Sequence, residues 1–142
     1  MALFLDTNVF LYAAGGPHPL KEPCGRVLKA VADGTVEAVV DAEVLQELLY
    51  VLERRGMLRQ GAALVSSVVE LVTRVLPVSA HDIELTCKLL LKGTGLPVRD
   101  ALHVAVMMNN GLDSVVTADR HFAMVKGLRC LRPEDVRTGS RE

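Results

Sequence analysis

The sequence is short of aromatic residues and of cysteine. Its 142 residues include no tryptophan, two tyrosines and three phenylalanines, which leaves few rings for the stacking surfaces that bind single-stranded nucleic acid. The three cysteines, Cys24, Cys87 and Cys130, are widely spaced and form no C-x-x-C pair. This pattern argues against both a disulfide framework and a cysteine zinc site. We therefore expect reduced cysteines that serve as small core residues.

The sequence also lacks the segments that direct proteins to membranes. Its apolar amino terminus carries no basic residues and is interrupted by Asp6 and Asn8, unlike a signal peptide. No uncharged stretch is long enough to span a bilayer. We therefore expect a protein of the reducing cytoplasm. Half of the residues are hydrophobic and 23% are charged, which fits a single domain covering residues 1–142.

Apolar periodicity divides the chain into alternating strands and helices. The clearest helix opens at residue 41, where Val44, Leu48 and Leu52 share one face before Gly56 ends it. Strands are predicted at 2–5, 36–40, 76–78, 114–117 and 128–131. Helices are predicted after residue 6 and at 24–33, 41–55, 58–74, 82–92 and 98–110.

This alternation predicts an α/β fold, with a parallel sheet of about five strands and helices on both faces. The strand at 76–78 is expected at an edge of the sheet, because Pro77 cannot donate a hydrogen bond to a central ladder.

Four acidic residues are associated with the carboxyl ends of predicted strands. Asp6 ends the first strand, Asp119 follows the fourth, Asp100 opens an apolar helix, and Glu47 lies in the helix after the second strand. Ligands bind outside the carboxyl ends of parallel strands, so we expect the four to converge at one edge. Taken singly, each has an ordinary explanation: the aspartates as helix caps, and Glu47 as an exposed acid on an amphipathic helix.

Four carboxylates held close together repel one another and would repel an anionic substrate. A divalent cation removes both difficulties, and oxygen ligands without cysteine or paired histidines favour Mg²⁺ or Mn²⁺ over zinc. Such a site suits hydrolysis of a phosphodiester by metal-activated water. With these four acids set aside, sixteen basic residues face thirteen acidic ones, which is consistent with a phosphate backbone as ligand.

Four stretches resemble the motifs of PIN-domain ribonucleases. They are Phe4-Leu5-Asp6-Thr7-Asn8-Val9, Glu47-Leu48, Arg99-Asp100-Ala101-Leu102-His103-Val104-Ala105 and Val116-Thr117-Ala118-Asp119-Arg120-His121-Phe122. Their order and the chain length match across nearly the whole sequence. Within the family, the likeness is strongest to the VapC-type toxins of bacterial and archaeal toxin-antitoxin pairs.

The resemblance implies a PIN-like, Rossmann-like fold and a Mg²⁺- or Mn²⁺-dependent endoribonuclease that leaves a 3′-hydroxyl and a 5′-phosphate. It also implies an RNA substrate and a cognate antitoxin as protein partner. Asp6, Glu47, Asp100 and Asp119 would bind the metal and carry catalysis, with Asn8 and Thr117 as polar helpers.

One departure concerns the helix after the second strand. Many relatives carry Ser or Thr at its start, whereas this chain has Asp41-Ala42-Glu43, so Glu43 competes with Glu47 for the acidic role. Glu47 is preferred because its spacing and its neighbour Leu48 fit the motif better.

Two histidines lie near the acids in sequence. His103 shares a helix face with Asp100, so a metal or acid-base role is conceivable, although an isolated helical histidine is more often structural or lines a rim. His121, two residues after Asp119, is expected to cap a helix or to face solvent.

Other classes fit less well. A haloacid-dehalogenase-like phosphatase would need a second acid where Asn8 stands, and a receiver-like domain would need an early acidic pair. A PIN-like domain with a degenerate site that only binds RNA or protein stays open as an alternative.

The predicted αα-hairpin at 41–74 has more apolar positions than one buried face needs. We expect an exposed apolar patch there, which would serve a homodimer or an antitoxin helix. Its residues are Leu49, Val51, Leu52, Leu64, Val65, Val68, Val69, Leu71 and Val72.

Overall fold

Residues 1–139 are described by a computed structural model. The strands are β1 Ala2–Leu5, β2 Glu37–Asp41, β3 Arg74–Leu76, β4 Ser114–Val116 and β5 Arg129–Leu131. They form one sheet in the order β3-β2-β1-β4-β5, and every neighbouring pair is parallel. The predicted five-stranded parallel sheet is therefore confirmed.

Six α-helices connect these strands. They are α1 Thr7–Ala14, α2 Lys21–Ala32, α3 Ala42–Arg54, α4 Leu58–Leu71, α5 Ala80–Leu91 and α6 Val98–Asn109. Helices α1 to α4 pack among themselves, whereas α5 packs on α6. Because parallel crossovers are right-handed and the strand order reverses at β1, these two groups cover opposite faces of the sheet. Two short 3-10 turns, Arg120–Met124 and Pro133–Asp135, flank β5.

The bounds predicted for two neighbouring elements are wrong. The helix expected to run to residue 74 ends at Leu71, and the edge strand expected at 76–78 is Arg74–Leu76. The backbone leaves the helix here because the Thr73 amide donates to the Ala38 carbonyl at 2.8 Å, which draws the chain onto β2. Pro77 then ends the strand because it has no amide to donate. The edge position of β3 is as predicted.

The core lies on both faces of the central strands. Phe4 and Leu5 of β1, together with Val115 and Val116 of β4, have no solvent exposure, as expected for parallel strands covered by helices on each side. Of the cysteines expected in the core, Cys24 is buried, Cys130 is partly buried and Cys87 is exposed. Within residues 1–139, no helix combines the length and the apolar character needed to cross a membrane.

The sheet order also positions the functional end of the molecule. The chain moves from β1 to β2 on one side, and β4 lies on the other side of β1. This reversal creates a crevice outside the carboxyl ends of β1 and β4, which is where open α/β sheets bind ligands.

Candidate active site

A cleft of about 280 Å³ opens at this reversal. The four acids singled out from the sequence all line it: Asp6, Glu47, Asp100 and Asp119. Their neighbours in the wall are Thr7, Asn8, Leu11, Val51, Pro97, Arg99 and His121. A larger recess of about 410 Å³ includes Glu37 at the start of β2 and Arg129 at the start of β5, at the other end of the strands. The structure therefore brings the four predicted carboxylates together, at the smaller of these two concavities.

Asp6 is both a helix cap and a wall of the cleft. Its carboxylate accepts hydrogen bonds from the Thr7 amide at 2.8 Å, from Thr117 Oγ1 at 2.7 Å and from Asn8 Nδ2 at 3.2 Å. Burial raises the pKa of the Asp6 carboxyl to about 6, against the opposing charge of His103 and the Thr117 hydrogen bond. The cap explanation and the site explanation are thus compatible at this residue.

Asn8 and Thr117 join the ends of β1 and β4. Asn8 Nδ2 donates to Thr117 Oγ1 at 3.2 Å, and Asn8 Oδ1 accepts from the Ala118 amide at 3.2 Å. Thr117 Oγ1 also accepts from the Asp119 amide at 2.9 Å. These polar side chains fix where Asp6 and Asp119 stand relative to each other.

Asp100, Asp119 and His121 form the most open part of the acidic cluster. His121 Nδ1 lies 3.1 Å from a carboxylate oxygen of each aspartate, and one ligand atom from each of the three residues falls within 4.8 Å of the others. Burial raises the pKa of Asp100, and the nearby charge of Asp119 adds to this, although the His121 hydrogen bond opposes it. His121 therefore does more than face solvent. The cap itself is Asp119, which accepts from the His121 amide.

Glu47 lies deeper than Asp100 and Asp119, and both of its carboxylate oxygens have partners. Its Oε1 accepts from Thr7 Oγ1 at 2.7 Å and from His103 Nε2 at 2.8 Å, while Oε2 pairs with Arg99 at 3.2 Å. Burial raises the pKa of Glu47, but His103, Thr7 and Arg99 together bring it below its usual value. Glu43, the competing acid, is not among the residues that line the cleft. The geometry favours Glu47, in line with the motif spacing.

His103 and Asp41 were not assigned a site role from the sequence. Both side chains are fully buried, and His103 Nδ1 lies 2.7 Å from Asp41 Oδ2. Burial alone would lower the pKa of His103, but the hydrogen bonds to Asp41 and Glu47 outweigh it and raise the pKa to about 10. The ring is thus an imidazolium at neutral pH. In the sequence, the signal that could have pointed to a site role for His103 was its position three residues after Asp100.

Arg99 is the third residue that sequence reasoning did not single out as part of the site. Its side chain is half-exposed at the mouth of the cleft, 53% by accessible surface, and pairs with Glu47. Arginine beside an acidic centre is suited to contacting a phosphate, because its planar donors match phosphate oxygens. The signal was its position next to Asp100 in the third motif.

The donor set fits a hard divalent cation. Asp100 and Asp119 offer carboxylate oxygens close to one imidazole, that of His121, and Asp6 and Glu47 add two more carboxylates to the same cleft. Mg²⁺ and similar ions prefer oxygen ligands. A bound cation would also offset the cost of holding a buried carboxylate such as Asp6, whose pKa is raised.

Four carboxylates lie around one cleft, at the point where the strand order of the parallel sheet reverses. The protein is therefore an α/β domain with an acidic site suited to a metal ion. The chain belongs to the PIN-domain family, whose model, described as PIN domain, matches residues 3–128. It is 34% identical to Ribonuclease VapC13 of Mycobacterium tuberculosis over 91% of this chain and 98% of that relative. Ribonuclease VapC7 of the same organism is 37% identical, over 85% of this chain and 84% of the relative. The predicted membership of the VapC-type PIN ribonucleases is confirmed.

Solved structures agree on the fold. VapC20 of Mycobacterium tuberculosis, described as a Sarcin-Ricin loop cleaving toxin, matches with a TM-score of 0.72 and 21% identity over 85% of this chain and 92% of its own. DNA-bound VapBC from Salmonella typhimurium matches with a TM-score of 0.69 and 23% identity over 94% of this chain and 99% of its own. At these identities, the likeness establishes a shared architecture.

Proposed function

We propose that this chain is a cytoplasmic endoribonuclease that uses Mg²⁺ or Mn²⁺ and acts as the toxin of a toxin-antitoxin pair. Membership of the PIN family and the VapC ribonuclease relatives support the reaction class. The observation that carries the proposal is the convergence of four carboxylates on one cleft. Oxygen ligands favour Mg²⁺ or Mn²⁺ over softer ions.

The roles of the residues follow from their exposure and contacts. Asp6, Asp100 and Asp119 line the open cleft, and Glu47 completes its wall. Asn8 and Thr117 hold Asp6 in place through hydrogen bonds. A bound divalent ion would supply Lewis acidity and a water of lowered pKa for attack on phosphorus.

Arg99 has a separate role in this proposal. Its half-exposed guanidinium can leave Glu47 and donate to a non-bridging phosphate oxygen of the RNA, since the pair is open to water on one side.

The antitoxin and a second copy of the chain are proposed as protein partners. Of the nine hairpin residues expected to form an apolar patch, Leu52, Val68 and Val72 are buried, whereas Val69 is 47% exposed. The neighbouring Leu58 is also exposed, at 52%. The apolar surface is therefore smaller than the sequence implied, and partner binding would rely on polar contacts as well. Light scattering, alone and with the product of any small gene immediately upstream, tests both partners.

A binding module with a degenerate site is the competing function. It predicts that the aspartates serve only as caps and that Glu47 is an exposed acid, yet the Glu47 side chain is buried in the wall of the cleft. This observation favours the enzyme.

Cleavage of RNA by purified protein tests the proposal. EDTA should abolish cleavage, Mg²⁺ or Mn²⁺ should restore it, and Asp6→Asn, Asp100→Asn and Asp119→Asn should each remove most of it. Asp82→Asn is the matched control, because Asp82 is a buried acid in a capping box on α5, away from the cleft. Undiminished cleavage by the Asp6 variant, or an equal loss in the Asp82 variant, would refute the mechanism. End analysis of the fragments tests the expected 3′-hydroxyl and 5′-phosphate.

A further inference from the structure

A buried chain of polar side chains runs from the end of β2 to the wall of the cleft. Asp41 caps α3 with Oδ1, which accepts from the Val44 amide at 2.9 Å, and contacts His103 Nδ1 with Oδ2 at 2.7 Å. His103 Nε2 then reaches Glu47 Oε1 at 2.8 Å. Every buried side-chain nitrogen and oxygen in the described part of the chain has a hydrogen-bond partner.

The imidazole ring is held in one orientation. Each of its nitrogens faces a carboxylate oxygen, so both N–H groups donate and neither a flip nor a rotation preserves the two bonds. The Phe4 ring packs against it with centroids 5.4 Å apart and planes at 49°. His103 itself has no exposure to solvent.

The consequence for Glu47 is that its two oxygens are no longer equivalent. Oε1 is occupied by donors from His103 and Thr7, at 2.8 and 2.7 Å, and points into the protein. Oε2 pairs with Arg99, which is half-exposed and lines the cleft together with Glu47. The carboxylate thus presents one defined oxygen to the cleft.

We propose that Asp41 and His103 are positioning residues that fix the orientation of Glu47 and so determine how strongly the cleft binds a divalent cation. This inference rests on the proposed metal-dependent function. Neither residue lines the cleft, so both act through Glu47 instead of touching substrate. Partners of this kind, one step removed from the metal, typically change metal affinity or activity by about 10–100-fold when they are lost.

A purely electrostatic role makes the opposite prediction. If His103 only supplied positive charge beside the acids, its removal would leave the cleft more negative, and a cation would bind more tightly. A positioning role predicts weaker binding, because Glu47 is then free to rotate its oxygen away. The sign of the change in Mn²⁺ affinity separates the two roles.

Calorimetric titration of the full chain with Mn²⁺ measures this sign without any cleavage assay. His103→Gln should bind Mn²⁺ about 10–100-fold more weakly than wild type. Asn109→Ala is the matched control, because Asn109 lies on the same helix and donates to the largely buried Asp82 at 2.8 Å, away from the cleft. Its Mn²⁺ affinity should be unchanged. Circular dichroism establishes that each variant is folded.

Two further variants keep the test decisive. Asp41→Asn preserves the cap and can donate from its amide to Nδ1, so the neutral ring still donates from Nε2 to Glu47. It should retain Mn²⁺ affinity within a few-fold of wild type. Thr7→Val removes the other donor to Oε1 and should weaken Mn²⁺ binding, which gives an independent reading if His103→Gln does not fold.

The outcomes distinguish this inference from the proposed function. Wild-type protein that binds no Mn²⁺ would refute the proposed function itself. Wild-type binding with equal or tighter binding by folded His103→Gln would overturn the positioning role alone. Equal losses in Asp41→Asn and His103→Gln would also overturn it, because orientation is preserved in the first variant. Weak binding by His103→Gln with near-normal binding by Asp41→Asn supports it.

Discussion

Replacing Asp6 with asparagine should stabilise the metal-free protein at neutral pH. Burial raises the pKa of this carboxyl from 3.8 to about 6, so the folded protein carries a charge that it holds less readily than the unfolded chain does. A group with a raised folded pKa contributes its full stability below the unfolded value, and loses it as the pH rises through the folded value. Above about pH 6 the Asp6 charge is therefore a net cost.

The size of this free-energy cost follows from the shift in the pKa of Asp6. A change of about two pKa units corresponds to about 3 kcal/mol, at about 1.4 kcal/mol per unit. Asparagine removes the charge and still caps a helix, but it offers one acceptor fewer to the Asn8 and Thr117 side chains, which costs about 1 kcal/mol. The net gain is about 2 kcal/mol, or roughly 6 °C in melting temperature for a chain of this size.

Thermal unfolding in EDTA, followed by circular dichroism at pH 8 and pH 5, measures this gain. The advantage of Asp6→Asn should be full at pH 8 and about a third as large at pH 5, because the cost of the charge is about half developed at pH 5 while the lost hydrogen bond costs the same at both pH values. Asp82→Asn is the control, since hydrogen bonds from Asn109 and Ser79 outweigh burial and lower the pKa of Asp82. That variant should lose stability at pH 8. A destabilised Asp6→Asn protein at pH 8 would refute the reasoning.

Two other predictions address the cation and the core. A hundredfold excess of Mn²⁺ over its Kd should stabilise wild type by about 2.7 kcal/mol and so raise its melting temperature. Asp100→Asn and Asp119→Asn should lose most of this rise. Equal rises in all three proteins would mean that the two aspartates serve only as caps. Leu48→Ala, at a fully buried position on α3, should cost about 2–5 kcal/mol in denaturant unfolding, whereas Tyr50→Ala, at a position 42% exposed, should cost far less.

The acids could be placed from the sequence because each follows a local pattern. Asp6 comes directly after β1 and Asp119 comes three residues after the end of β4, and parallel pairing brings such strand ends together without further information. The end of α4 could not be placed this way. Residues 72–74 continue a helical pattern. They leave the helix because Thr73 and Arg74 pair with Ala38 and Val39 of β2, which is distant in sequence.

The hydrogen bonds that join Asp41, His103 and Glu47 could not be predicted from local sequence patterns, for a related reason. The spacing from Asp100 to His103 shows that the two share a face of α6, but not what that face contacts. Asp41 could be recognised only as the start of α3, because its second oxygen reaches a helix 62 positions away in sequence. Local periodicity predicts which residues are buried together, and long-range packing decides which buried polar groups meet.

If His103 acts through Glu47, the two residues should not contribute independently. Glu47→Gln keeps an acceptor for the His103 and Thr7 donors but presents no charged oxygen to the cleft. Once that charge is gone, the orientation of residue 47 has little left to control, so His103→Gln should weaken Mn²⁺ binding far less in the Glu47→Gln background than in wild type. A double-mutant cycle built from four Mn²⁺ titrations measures this coupling. Full additivity of the two losses would mean that His103 affects the cation by a route that does not include Glu47.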